Sequence, residues 1–597
     1  MENFLKRKYA VGAILLLIMI AAFAVRFYNH KEWLYFKMDQ ARDAALISQS
    51  VEHGAQFLPL LGPRAGATDV GGGFLRLGPA YYYFQYLSGL IFNSTAPQVF
   101  AYPDLFFGIA VLPLLYVFCR IYFKKYISLL VVLMYAFSYL IIEYSRFAWN
   151  PNPLPFFTIL SFLALLKFLN AENAKSRALW VTLWSFGLAI GSQLHFVGFF
   201  SLVGTSGLLI IIHYKIWRKD VMRNIFKSFI LKNIALYASL ALAVFAFIYT
   251  PVIISDVMRG GENTRNFIAA FSGKAKDKPL SEKFARNISE QIEHYTLITT
   301  SYVYPKKIKI QDSLPILFTL VIFIAGIYLT ARNARKISDQ SKKDFLTLLL
   351  LWFGVFFILC IPLSFQIRPR FFIFTFAIPF LFLGLVFEFL EEKRIKYYPY
   401  IIAGLTTIVF LLNAFGTKSW FSEQNDSQNG DVPIRRTLIL KNKDGVTLEQ
   451  LQKAADFMYE KRKDGSTLYF YTKPEHVSPV KYILSQKKDP NLTYLTLSLD
   501  ENPNAQYFAV IPSHQDPMEA LQSKFETDVE ISSSLNCGQI SVYEISFPKR
   551  TVSKEFRYNK TYSPTDRVFW RDVFGKETDA LGIEGDNDSM EDIDMNE

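Results

Sequence analysis

Beyond a first membrane-length apolar run, the chain carries Asp39, Arg42 and Asp43 in the stretch KMDQARDAA. Their spacing of i, i+3 and i+4 puts all three on one face of a helix. A carboxylate beside a guanidinium at a span exit suits proton transfer, with Asp39 as a general base and Arg42 and Asp43 as candidate substrate-binding residues. The plainer readings are structural. Asp39 also fits an N-cap or a first-turn carboxylate favoured by the helix dipole. Arg42 fits an ion-pair partner of Asp43 or a snorkelling interface residue.

Four further groups join this candidate site. Arg64 in PLLGPR, Arg76 in LRLGP and Tyr82 in AYYY flank a glycine-rich loop, which reads as a flexible lid or a plain connector. The spacing of that loop is not that of a nucleotide-binding P-loop. Arg146 and Asn150 in YSRFAWNPNP, with Trp149 between them, suit sugar hydroxyls bound over an aromatic plane, or else an interfacial anchor. His195 in GSQLHF reads as a ligand-contacting or a structural histidine. Arg368 and Arg370 in IRPRFF are placed to pair bidentately with a lipid phosphate. No His or Cys spacing suggests a metal site.

The elements that must position these residues are membrane spans. Of 597 residues, 51% are hydrophobic, 16% aromatic and only 19% charged, against about 25% charged in soluble proteins. Eleven apolar stretches are long enough to cross a ~30 Å hydrocarbon core: 10–27, 99–119, 126–142, 154–170, 178–194, 197–214, 234–254, 313–331, 345–363, 371–390 and 398–414. The fourteen residues of 79–92 are short for a span. If they stay on the outer surface, the short loops rich in Lys and Arg all fall on the cytoplasmic side. That arrangement sets the N-terminus in the cytoplasm and everything after Trp420 outside. The net charge of +12 is then membrane anchoring rather than a nucleic-acid stripe.

The outer side collects the first loop (28–98), the turn 143–153, His195, a long loop (255–312) and the Gln366–Arg370 turn. Met38–His53 is amphipathic, with Ala44, Ala45, Ile47 and Val51 available to lie on a membrane surface. Residues 1–415 therefore form the membrane domain. Residues 416–550 read as an extracytoplasmic α/β domain, with a helix at 446–464 and strands at 466–472, 494–499, 506–512 and 540–545. A second helix is expected at 518–525. Residues 551–597 are an extension whose acidic end, from Lys576, lacks periodicity and reads as disordered. The N-terminus looks like a signal peptide without a cleavage site, hence a retained helix. Cys119, Cys360 and Cys537 lie too far apart to suggest a disulfide framework.

Taken together, DQARDA, LLGPR, LGPAYYY, SRFAWNPNPLP, GLAIGSQLHF and RPRFFIFTFAIP resemble GT-C superfamily glycosyltransferases. The likeness is to those related to protein O-mannosyltransferases and the bacterial aminoarabinose transferase (glycosyltransferase family 39-like), over about residues 1–415. The resemblance implies a polytopic helical fold and an inverting transfer from a polyprenyl-phosphate sugar to an extracytoplasmic acceptor. It maps the family's first-loop base onto Asp39. Arg368 and Arg370, or Arg64 or Arg76, would then stabilise the leaving lipid phosphate. Two departures stand out: Gln40 follows Asp39 where many relatives have Glu, and Leu77 stands where relatives often have His. The implied partners are the lipid-linked donor, membrane lipids and an acceptor of unknown class. The sequence requires no cofactor and leaves room for a divalent cation. The competing functions are a transporter or flippase and a non-catalytic envelope scaffold.

Overall fold

The computed structural model describes residues 9–65, 75–216, 229–273, 278–303, 313–430, 445–496, 504–548 and 567–575. The eleven apolar stretches lie mostly on helix. Among the described residues, seven helices are long and apolar enough to cross a membrane: Ala10–Phe27, Val99–Cys119, Phe196–Tyr214, Ala235–Met258, Ser313–Lys336, Gln340–Cys360 and Tyr398–Gln428. An eighth span forms if Pro369–Thr375 and Ile378–Glu392, bent by 44°, count as one. The remaining three stretches fall on Lys125–Ala136, Leu154–Leu169 and Ala174–Leu194. The ambiguous segment forms the 13-residue helix Ala80–Phe92.

The stretch 126–142, expected as one span, is broken. Ser138 is extended (φ −64°, ψ 125°) between the helices Lys125–Ala136 and Tyr139–Glu143. Backbone groups left open at membrane depth cost several kcal/mol each, and buried side chains answer them here. Tyr139 N–H donates to Asn413 Oδ1 at 2.9 Å, and Asn413 Nδ2 donates to the Thr299 carbonyl at 2.8 Å. Ser138 Oγ donates to the Ile298 carbonyl at 2.7 Å. The break therefore ties three helices together.

Two expectations for the outer side are corrected. Residues 255–312 were read as a loop, yet the described part is largely helix: Phe229–Met258 runs into it, and Glu262–Gly273 and Leu280–Thr300 follow. Met38–His53 was read as lying on a membrane surface. Instead its Ala44 and Ile47 are buried in the common core, and the helix packs against Ala80–Phe92 and Pro474–Ser485. A protein surface, rather than lipid, covers its apolar face.

The C-terminal α/β domain forms a five-stranded sheet in the order β2-β1-β3-β5-β4. Its strands are β1 (Thr467–Thr472), β2 (Thr493–Thr496), β3 (Ala505–Pro512), β4 (Glu530–Asn536) and β5 (Ile540–Ser546). β1 runs parallel to β2 and β3, while β5 pairs antiparallel with β3 and β4. Helices Leu448–Glu460, Pro474–Ser485 and Pro517–Phe525 accompany the sheet. The second of these and β4 were not expected from sequence.

This domain is pinned to the first loop. Leu448 N–H donates to the Leu34 carbonyl at 2.9 Å, and Tyr35 pairs with Thr447. Lys37 Nζ lies 3.5 Å from the Glu475 carboxylate. Thr95 Oγ1 donates to Gln486 Oε1 at 2.8 Å, and Phe36 packs on the Tyr482 ring.

Candidate functional site

The Met38–His53 helix starts from a capping box made by Lys37 and Gln40. Lys37 N–H donates to Gln40 Oε1 at 3.2 Å. Lys37 is thus the N-cap, and Asp39 sits in the first turn rather than at the cap. Gln40 spends its side chain on the helix start.

Four first-loop side chains form a graded cluster. Arg42 donates to Asp43 Oδ1 through Nε at 2.9 Å and Nη2 at 2.8 Å, and to Asp39 Oδ1 through Nη1 at 3.1 Å. The Tyr82 hydroxyl donates to Asp43 Oδ1 at 2.8 Å. Arg42 and Asp43 expose 8% and 5% of their side chains, whereas Asp39 exposes 50%. That contrast divides the labour. Asp43 is a buried acceptor, and burial raises its carboxyl above the usual range although Arg42 and Tyr82 pull it down. Asp39 is the carboxylate that solvent can reach.

A second set gathers opposite. Arg370 lies within electrostatic reach of Asp39, Tyr144 and Arg368, and its guanidinium stands 5.5 Å over the Trp149 ring. Tyr144 stacks near Trp149 with centroids 6.2 Å apart. The buried hydroxyls of Tyr35 and Tyr144 have no hydrogen-bond partner among the described residues. Tyr35 feels Asp39, Glu475, Tyr144 and Glu143, and burial followed by those carboxylates raises its phenol. Arg368 faces Glu290 and His294 on the Leu280–Thr300 helix. His294 stacks on Phe372 at 4.6 Å, and burial lowers its pKa to about 4. Tyr35, Lys37, Glu143, Glu475, Glu290 and His294 were missed from sequence. Glu143, a carboxylate ending an apolar stretch, gave the one usable signal.

Other expected residues hold the frame. Arg146 donates to the carbonyls of Val25, Arg26 and Tyr28 at 3.0, 2.8 and 2.7 Å. Its guanidinium also lies over the Phe421 and Trp420 rings. The sugar-binding expectation for Arg146 gives way to this structural tie. Asn150 Nδ2 donates to the Leu194 carbonyl at 2.6 Å, joining the outer turn to the GSQLHF bend. His195 separates helices Ala174–Leu194 and Phe196–Tyr214 and meets Phe371 edge-on at 5.5 Å.

Arg64 and Arg76 are antiparallel bridge partners, and Arg76 is fastened through its backbone to Asn263. The glycines between them, Gly66 and Gly71 to Gly73, lie outside the described residues, as does the acidic tail. A Cβ at Gly78 would collide with the Gln193 side chain, whose Oε1 accepts from Ala80 N–H at 3.3 Å, so any larger residue there must displace Gln193. LGPAYYY and GSQLHF are therefore one junction. Among the described residues no three His, Cys, Asp or Glu side chains converge as metal ligands. The Arg42 guanidinium bridges the Asp39 and Asp43 carboxylates.

Residues 16–254 match the model of the family described as dolichyl-phosphate-mannose-protein mannosyltransferase. The Archaeoglobus fulgidus oligosaccharyltransferase, solved in complex with Zn and sulfate, is similar at 13% identity. The match covers 84% of this chain and 68% of that one, with a TM-score of 0.50. Its apo form gives 13% identity, 85% and 70% coverage and a TM-score of 0.50. ArnT from Cupriavidus metallidurans, bound to undecaprenyl phosphate, matches at 9% identity over 92% of this chain and 100% of that one, with a TM-score of 0.47. A comparison with curated proteins gives no match.

Proposed function

This chain has the fold of the GT-C superfamily, and from that premise we propose that it is a membrane glycosyltransferase taking its sugar from a polyprenyl-phosphate donor. The acceptor lies on the extracytoplasmic face, where the C-terminal domain also resides, and the N-terminus is cytoplasmic. One observation carries the reading. Asp39 is half exposed beside a buried Arg42–Asp43 pair, with Arg370 within electrostatic reach. A solvent-accessible carboxylate facing a cation is the minimal set for attack on one side and departure of an anion on the other.

In the proposed step, Asp39 accepts the proton of the acceptor hydroxyl as its oxygen attacks the anomeric carbon. The bond to the lipid phosphate breaks on the opposite face, and the phosphate leaves with the electron pair. Configuration inverts. Arg370, with Arg368 beside it, stabilises the charge that grows on the phosphate. Arg42 keeps Asp39 in place, and Asp43 with Tyr82 keeps Arg42 in place. No step is routed through a metal.

Membranes containing the protein, given a polyprenyl-phosphate sugar labelled in the sugar, should transfer label to an extracytoplasmic acceptor. Label that crosses the bilayer still attached to its lipid identifies a flippase instead. Neither event leaves a scaffold.

A further inference from the structure

Residues 567–575 of the C-terminal extension lie across the first loop. Leu60 N–H donates to the Val568 carbonyl at 2.8 Å, and Trp570 N–H donates to the Leu58 carbonyl at 3.1 Å. These bonds flank the antiparallel bridge between Pro59 and Phe569. Trp570 Nε1 donates to the Tyr83 hydroxyl at 3.0 Å, and that hydroxyl donates to the Pro59 carbonyl at 3.3 Å. The Arg571 guanidinium stands 5.1 Å over the Phe57 ring. The strand-like pairing fixes where the preceding side chain goes. Arg567 is 7% exposed, and its guanidinium lies 5.9 Å over the ring of Tyr82.

We infer that residues 567–573 are a permanent strap over the first loop, and that Arg567 is a positioning residue of the transfer site, acting through Tyr82. The inference rests on the proposed function. The relay is short: Arg567 over Tyr82, Tyr82 to Asp43 at 2.8 Å, Asp43 to Arg42 at 2.8 and 2.9 Å, and Arg42 to Asp39 at 3.1 Å. A cation over the ring also makes the phenol O–H a stronger donor to Asp43. The strap is held by backbone bonds at both Leu58 and Leu60 and by the Trp570 indole, so its docking does not depend on Arg567. The α/β domain ends its last strand at Ser546, and the chain returns from there to the membrane domain's first loop. A segment distant in sequence thereby supplies a buried cation to a cluster otherwise made within about 45 residues.

The test uses the full-length protein. Arg567→Gln should lower kcat about tenfold or more at nearly unchanged donor KM, the scale of a small misplacement of reacting groups. Arg567→Lys keeps the charge over the ring and should retain most of the rate. In a double-mutant cycle with Tyr82→Phe the two losses should be non-additive. Cysteines at Pro59 and Phe569 should cross-link, because antiparallel bridge partners lie ~4.5–5.5 Å apart at Cα, within disulfide range. The cross-linked enzyme should remain active. Full activity of Arg567→Gln, additive losses, failure to cross-link, or activity that vanishes on cross-linking and returns on reduction would each overturn the inference. If Asp39→Asn proves active, the base assignment falls, while the Arg567 and cross-linking results still decide the strap.

Discussion

Removing Arg42 should destabilise the protein in a way that weakens on acidification. Asp43 exposes 5% of its side chain and takes two of its three hydrogen bonds from Arg42, at 2.9 and 2.8 Å. Arg42→Gln leaves that carboxylate buried with Tyr82 alone. Breaking a buried pair by removing one partner costs ~3–5 kcal/mol. The cost has an escape, since Asp43 can take up a proton. Burial already raises its pKa, and Arg42 is the largest influence holding it down. In the variant it rises further. A carboxyl whose folded pKa is raised is most favourable while protonated, and that stability is lost as pH rises through the folded value. The variant should therefore show its full deficit at neutral pH, and once pH drops below the raised pKa of its folded Asp43 that deficit should shrink by ~1.4 kcal/mol per unit. The assay is thermal unfolding of detergent-solubilised wild type and variant between pH 7.5 and 5. The double variant Arg42→Gln with Asp43→Asn should recover most of the loss. Wild-type stability at pH 7.5, or a deficit that grows on acidification, would refute the reasoning.

Three further predictions follow from the same geometry. Arg368→Gln with Arg370→Gln should weaken donor affinity by at least ~10-fold, since charge-assisted bonds contribute ~1.5–3 kcal/mol each; Lys should rescue only in part, and wild-type affinity would return both to membrane anchoring. Buried His294, lowered to about 4, binds its proton less readily folded than unfolded, so stability should fall as pH drops from about 6.5 towards 4. His294→Gln should flatten that slope in acid unfolding curves, and an unchanged slope would assign it elsewhere. A reporter fused after Trp420 should be active only on the extracytoplasmic side; activity in the cytoplasm would reverse the proposed topology.

Sequence was most informative where one physical signal dominated. Long apolar stretches declared the spans, and short runs rich in aromatic and β-branched residues declared β1, β3 and β5. β4 escaped because EISSSLN is largely polar and exposed at a sheet edge. The break at Ser138 was hidden because its relief comes from Asn413 and Thr299, far along the chain. Met38–His53 misled for a related reason: an amphipathic face is the same pattern whether lipid or protein covers it. The Asp39, Arg42 and Asp43 spacing did anticipate a cluster on one helix. Which carboxylate is buried was not legible, because Tyr82 and Arg567 decide it from elsewhere. For Arg146 the sequence left two readings open, because an interfacial arginine offers the same fork to a sugar and to the three carbonyls it meets here.

The central claim is that Asp39 is the base. Asp39→Asn keeps the size of the side chain and leaves an oxygen for Arg42, and the helix cap at Lys37 and Gln40 is untouched. Measured with a polyprenyl-phosphate sugar on correctly inserted protein, transfer should fall by ~10²-fold or more, the scale of a positioned general base, while donor binding and unfolding temperature stay near wild type. Near-normal transfer by that variant would contradict the account.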